Sequence, residues 1–371
     1  MQITHVEVIP VDLKLRHPAR MARLPEIRNI HSVFVRLETR QGQSAWGCAV
    51  AHPDLSGETR EALLAACQSC AAKAIDLHPT NLEYSLNELA LAANGSTGAM
   101  CAFDLAFHDL LGLASGLPLY RLLGGYRSSI PTSVTIPLGS VEEGVALAEE
   151  KARLGFRILK IKGGIDPDED VRRVQAIHRA LPTLSLQLDA DGGYTVEAAI
   201  EVARALQGIV EMIEQPTDPA DLPGLQEVTA DVDRLKSTTL IIADQCLSSP
   251  EMALQLAARR ISHGICVKVA HCGGLSVARQ VDSIARAAYT SALSQKRTTH
   301  RMATVVSCII EPALLISAGL SLALSSPNVR FCDLDGFLEL EDDPSQPTFK
   351  LENGWLTASE VPGLGCQVDL G

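Results

Sequence analysis

At 371 residues the chain exceeds one small domain, and 46% apolar with 20% charged residues suits a globular protein with a large core. Only 4% of residues are aromatic, so that core is built from Leu, Ile, Val and Ala. A formal charge of −12 argues against nucleic-acid or anionic-membrane partners, and no apolar run is long enough to span a bilayer.

The start, "MQITHVEVIPVDLKLRHP", alternates like a strand and lacks the apolar stretch of a signal peptide, so the cytoplasm is the expected compartment. Residues 1–125 read as an α+β module. "ITHVEVIPVDL" and "SVFVRLETRQGQSAWGCAV" are its strands, the second turning at Gln41-Gly42. Between them, residues 13–29 are polar, basic and broken by proline, and the expectation is a mobile loop, either a lid or a surface excursion. A helical tract follows from about Gly57 to Leu77. It contains Cys67 and Cys70, a lone CxxC with no second pair to complete a zinc site, so these read as small apolar residues on a helix.

From Pro131 short apolar runs alternate with alanine-rich helical stretches. The runs are "TSVTIPL", "RILKIK", "LSLQLDA", "IVEMIEQP", "LIIADQ", "GICVKVA", "ATVVSC" and "RFCDLDG". Repeated β-then-α units with near-continuous apolar strands indicate a parallel sheet, and eight of them point to a closed TIM-type α/β barrel over residues 126–338. The seventh unit is the least regular, preceded by the polar stretch "YTSALSQKRTTHRM". Residues 339–371 are expected to fold back onto the N-terminal module.

In such barrels chemistry sits at the C-terminal ends of the strands. There the sequence places Lys160 and Lys162 on the second strand, Asp189 on the third, Glu214 on the fourth, Asp244 on the fifth and Lys268 on the sixth. Ionisable residues recurring once per βα unit converge on one mouth. Three carboxylates in a closed cavity resist joint ionisation unless a cation joins them, and hard oxygen ligands select Mg²⁺ or Mn²⁺. Lysines from strands two and six face each other across the site. A divalent cation and a second ammonium are expected to lower a lysine's pKa until it can act as a base near neutrality. One lysine of the Lys160/Lys162 pair can then polarise a substrate oxygen while the other reaches for a proton.

This constellation resembles the enolase superfamily, in its muconate-lactonizing subgroup. Lys160-Ile-Lys162, Asp189, Glu214, Asp244 and Lys268 match its motif, and "AFDLAFHDLLGLASGLPLYRLLGG" looks like its capping-domain-to-barrel connection. The resemblance implies a (β/α)7β form of the barrel behind a capping domain. It also implies abstraction of a proton α to a carboxylate, with Mg²⁺ stabilising the enediolate. Asp189, Glu214 and Asp244 would bind the metal, Lys162 and Lys268 would be the acid/base pair, and Lys160 would assist at the substrate carboxylate. Asp333-Leu-Asp335 at the end of the eighth strand is similar to the Asp-x-Asp by which dipeptide epimerases pair with a substrate α-ammonium. Alternation puts both aspartates on one face. Thr135 of the first strand is a further expected substrate contact.

The sequence also departs from the family pattern. Gln245 follows Asp244 where glutamate is usual, Asp191 stands where asparagine is usual, and His271 occupies a position often held by lysine. In "SCIIEP" only Glu311 is kept of the usual acidic run. The expected function is a Mg²⁺-dependent dipeptide epimerase acting on a small-molecule substrate, with Arg20, Arg23 and Arg28 as candidate attractors of an acidic side chain. An N-acylamino-acid racemase, o-succinylbenzoate synthase or cycloisomerase on the same scaffold is the alternative, and a non-catalytic binding module is the alternative of another class. Self-association and the dipeptide's side chains are left open.

Overall fold

Three antiparallel strands open the chain, β1 (Ile3–Met21), β2 (Leu24–Thr39) and β3 (Ser44–Ala51), in the order β1-β2-β3. The structure, a computed structural model, describes residues 2–294 and 302–370. Of the polar stretch before the seventh barrel strand, residues 295–301 lie outside the described residues.

The loop expected at residues 13–29 is instead a β-hairpin. Leu13 pairs with Ile30 and Lys14 with Asn29; after a register shift Ala19 pairs with Ile27 and Met21 with Leu24, leaving Ala22-Arg23 as a tight turn. Pairing uses backbone N–H and C=O groups, which polar side chains do not disturb, and Pro18 falls inside the shift, where no ladder bond needs its missing N–H. The hairpin is also tied down: Leu15 bridges Leu340, and the Glu341 amide donates to the Lys14 carbonyl at 2.9 Å.

Helices α1 (Arg60–Ala74), α2 (Leu82–Ala93) and α3 (Thr97–Ser115) cover one face of this sheet. Thr59 caps α1 by accepting the Ala62 amide at 3.2 Å, and Leu63, Cys67, Cys70 and Ala74 line its buried face at helical spacing. Cys67 and Cys70 are thus core thiols, and every cysteine is unbridged. Gly47 of β3 lies so close to α3 that an added Cβ would meet the Ala102 carbonyl oxygen at 1.7 Å.

The barrel runs β4 (Val134–Ile136), α4 (Val141–Arg153), β5 (Ile158–Lys162), α5 (Pro167–Ala180), β6 (Ser185–Asp189), α6 (Val196–Ala205) and β7 (Val210–Glu214). It continues α7 (Leu222–Arg234), β8 (Leu240–Ala243), α8 (Pro250–Arg259), β9 (Gly264–Lys268), α9 (Leu275–Ser294), β10 (Ala303–Ser307), α10 (Ala313–Ser325) and β11 (Val329–Asp333). These are barrel strands one to eight, paired in parallel and in sequence order. The Ser133 amide donates to the Cys332 carbonyl at 2.9 Å and so brings the ends of the sheet together. A 3₁₀ turn, Gly336–Glu339, follows the last strand, giving the (β/α)7β arrangement. Met212, Leu240, Ile242, Cys266, Ala303, Val305 and Phe331 fill the barrel interior beneath its mouth.

Two aspartates of α3 join the parts. Asp104 accepts the amides of Leu275 and Ser276 at the start of α9, and the Ser276 hydroxyl at 2.6 Å. Asp109 accepts the Trp46 amide at 3.2 Å and the Leu364 amide at 2.8 Å, holding the C-terminal segment against β3. That segment adds strands 350–352 and 355–357 to the short strand 129–131. No described helix is long and apolar enough to cross a membrane.

Candidate active site

Parallel register lines up the ends of the strands. Lys162, Asp189 and Glu214 are mutual Cα partners along β5, β6 and β7, and Lys268, Ser307 and Asp333 along β9, β10 and β11. In a closed sheet of eight, strands two and six lie across the barrel from each other, so Lys162 and Lys268 approach from opposite sides. The carboxylates come from the three strands between them.

The loops beyond these strands interlock through glycines. The Gly163 amide donates to the Asp189 carbonyl at 2.7 Å, and a Cβ on Gly193 would meet the Gly164 carbonyl oxygen at 1.9 Å. Buried Arg173 of α5 donates to the Lys162 carbonyl and to the Gly139 carbonyl, the latter at 2.6 Å. Gln215 accepts the Asp244 amide at 2.9 Å. The sequence reading missed both supports. Gln215 stands beside Glu214 in "IEQP" and could have been suspected, whereas nothing in the polar pattern of α5 singles out Arg173.

A cavity of about 390 Å³ opens at this end of the barrel. Thr135, Lys160, Lys162, Asp189, Asp244, Lys268, Asp333 and Asp335 all line it, and His17 to Met21 of the β1–β2 hairpin form part of its wall. Glu214 is fully buried beneath, with its Oε1 3.1 Å from Lys160 Nζ and 4.0 Å from Lys268 Nζ. Lys160 also contacts Asp189 at 3.0 Å and Asp333 at 2.8 Å. Lys162 contacts Asp189 at 2.9 Å and both Asp191 oxygens at 3.1 Å, while Lys268 is bonded to Asp244.

Burial favours the neutral amines, but the carboxylates outweigh it and hold Lys160, Lys162 and Lys268 above the ordinary lysine value. Burial, with Asp189 and Asp244 nearby, pushes Glu214 up to about 8 against the pull of Lys160; Asp189 is held low by Lys160 and Lys162 despite its burial.

The donor set suits a hard divalent cation. Glu214 Oε2 is buried with no hydrogen-bond partner, and donor atoms of Glu214, Asp244 and Cys266 lie within 4.8 Å of one another. The carboxylate oxygens of Glu214 and Asp244 are the hard donors of that group, whereas Asp189 stands outside it and is joined to Glu214 through Lys160, at 3.0 and 3.1 Å.

The two strand-eight aspartates differ. Asp333 accepts from Ser133 at 2.7 Å and Ser307 at 2.9 Å as well as from Lys160, so its oxygens serve the barrel's own groups. Asp335 accepts the Thr135 amide at 2.7 Å, and burial together with Asp333 pushes it up to about 7. Of the arginines, Arg20 lines the cavity but is paired with Glu26, which also takes Arg28; Arg23 is paired with Asp218. Burial, followed by Lys268 and His52, pushes the cavity-lining His271 down to about 3, so it is neutral. Glu311 is buried outside the cavity lining, accepts the Ile309 amide at 3.4 Å and is pushed up to about 8 by burial.

Residues 3–124 match the family described as mandelate racemase / muconate lactonizing enzyme, N-terminal domain, and residues 143–371 match the enolase C-terminal domain-like family. An L-Lys-D/L-Arg epimerase of Desulforapulum autotrophicum is 32% identical over 98% of this chain and 99% of its own length. The structure of a dipeptide epimerase from Enterococcus faecalis, complexed with Mg and L-Leu-L-Tyr, superposes with a TM-score of 0.91 at 30% identity, covering 99% of this chain and 100% of that one. A substrate-liganded L-Ala-D/L-Glu epimerase from Bacillus subtilis gives 0.91 at 28% identity, with both chains fully covered at 100%.

Proposed function

Because the chain belongs to the mandelate racemase/muconate lactonizing enzyme family of the enolase superfamily, we propose that it is a Mg²⁺-dependent dipeptide epimerase, inverting the α-carbon next to the free carboxylate. The observation that carries this reading is the placement of Lys162 and Lys268 on opposed strands of one cavity, with carboxylates from the intervening strands between them.

Asp189, Glu214 and Asp244 would hold the metal. Bound there, Mg²⁺ supplies positive charge that offsets the charge developing on the substrate carboxylate and loosens the lysines' hold on their protons. Lys162 and Lys268 move the proton, one Nζ removing it from one face of the α-carbon and the other returning a proton to the opposite face. Lys160, anchored by three carboxylates, presents a fixed ammonium to the substrate carboxylate. Asp335, beside the Thr135 amide, is the carboxylate offered to the dipeptide's ammonium; Asp333 holds Lys160 in place. The relatives named above are an L-Lys-D/L-Arg epimerase, a dipeptide epimerase complexed with L-Leu-L-Tyr and an L-Ala-D/L-Glu epimerase, and the paired arginines here give no reason to favour an acidic side chain.

The test is α-hydrogen exchange and inversion across a dipeptide panel in deuterated water with Mg²⁺, read by mass spectrometry and chiral chromatography. Exchange that disappears in Lys162→Ala supports the reading. Turnover of N-acyl amino acids but not free dipeptides would transfer the assignment to a racemase on this scaffold.

A further inference from the structure

The two lysines are supported unequally. Lys268 rests on Asp244, with Glu214 at 4.0 Å, both in the proposed metal-binding set. Lys162 rests on Asp189, in that set, and on Asp191, which is not. Asp191 is itself held rigidly. Its φ of 46° is left-handed, a conformation aspartate tolerates better than most residues. Its amide donates to Asp189 Oδ1 at 3.2 Å, and Gln245 Nε2, from the loop after β8, donates to its Oδ1 at 3.2 Å. The next residue, Gly192, is fixed by its amide to the Gln215 carbonyl at 2.7 Å. Asp191 is 7% exposed and lines the cavity beside Lys162.

We infer that Asp191, clamped by Gln245, is the positioning residue for Lys162: the one carboxylate dedicated to aiming that ammonium at its face of the substrate α-carbon. Among the described residues Lys268 has no such counterpart: its ion-pair partners are Asp244 and Glu214. The residue pair also explains a feature of the sequence. A glutamine at 245 and an aspartate at 191 place a single negative charge on this hydrogen bond, at the end that touches Lys162.

The inference rests on the epimerase reading and predicts a one-sided defect. Each dipeptide epimer presents its α-hydrogen to one lysine. In Asp191→Asn, exchange in deuterated water from the epimer facing Lys162 is expected to fall at least about tenfold. Exchange without inversion from the other epimer, served by Lys268, continues within about threefold, while inversion falls equally in both directions, as a fixed equilibrium constant requires. Mg²⁺ binding by calorimetry is retained, because the Asp191 side chain bonds Lys162 and Gln245 and its contact to Asp189 is made by the backbone amide, which the variant keeps. The double variant Asp191→Asn/Gln245→Glu returns the charge to the other end of the same hydrogen bond and is expected to recover most of the lost exchange. Equal slowing of both epimers, loss of Mg²⁺ binding, or a folded double variant without recovery would overturn the inference. If wild type exchanges no dipeptide, the epimerase reading fails separately. Crystal structures then decide on Asp191: a displaced Lys162 Nζ in Asp191→Asn supports the positioning role, and an unmoved one refutes it.

Discussion

Lys160 of β5 and Asp333 of β11 are bonded at 2.8 Å across the seam where the sheet of the barrel closes. Both are buried, and Asp333 holds the pair through Ser133 and Ser307. Removing one partner leaves the other charge desolvated and short of a counter-ion. Asp333→Ala is therefore expected to cost about 3 kcal/mol of stability, measured by urea denaturation, before any effect on catalysis is considered.

Asp335 is expected to behave differently, as a binding group. Its folded pKa of about 7 means that the carboxylate form, which can pair with an ammonium, is lost as pH falls through 7. KM for a dipeptide should rise below that pH in the wild type. Asp335→Asn should raise KM about tenfold or more at pH 8 and flatten the profile, with little change in melting temperature.

Lys162→Ala and Lys268→Ala should each lower the rate of inversion by about 10²–10⁴, the usual contribution of a positioned acid or base. Circular dichroism and Mg²⁺ binding should be retained, which separates the loss of proton transfer from the loss of the site.

Magnesium should raise the melting temperature. A ligand that binds only the folded state adds about 2.7 kcal/mol at a hundredfold excess over Kd. Glu214→Gln, which replaces a carboxylate whose Oε2 is buried without a hydrogen-bond partner, should abolish that shift in differential scanning calorimetry.

Glu311 sets a pH dependence of stability. Its pKa rises from an ordinary carboxylate value in the unfolded chain to about 8 in the fold, so the folded state binds the extra proton between those limits. Stability should fall as pH rises through that window, by at most about 1.4 kcal/mol per pH unit from this group. Glu311→Gln should make the curve from pH 5 to 8 shallower in urea titrations.

Much of this protein was legible in its sequence. The parallel strands, buried on both faces, announce themselves as continuous apolar runs, and Lys162, Asp189, Glu214, Asp244 and Lys268 recur once per βα unit because each unit contributes one strand end to the same mouth. Local periodicity suffices where function repeats with the fold.

What only the tertiary structure decided is how those groups are shared. Residues 13–29 form a hairpin over the mouth because backbone hydrogen bonds are indifferent to the polar side chains that suggested a loop. Asp333 is occupied by Lys160, Ser133 and Ser307, and Asp191 by Lys162 and Gln245, through contacts between residues as many as 200 positions apart. Burial disfavours the charge on the lysines, and only the acids brought in from other strands outweigh it. Residue type and spacing follow from the chain, but the field at a buried charge depends on distance, and distance exists only once the barrel has closed.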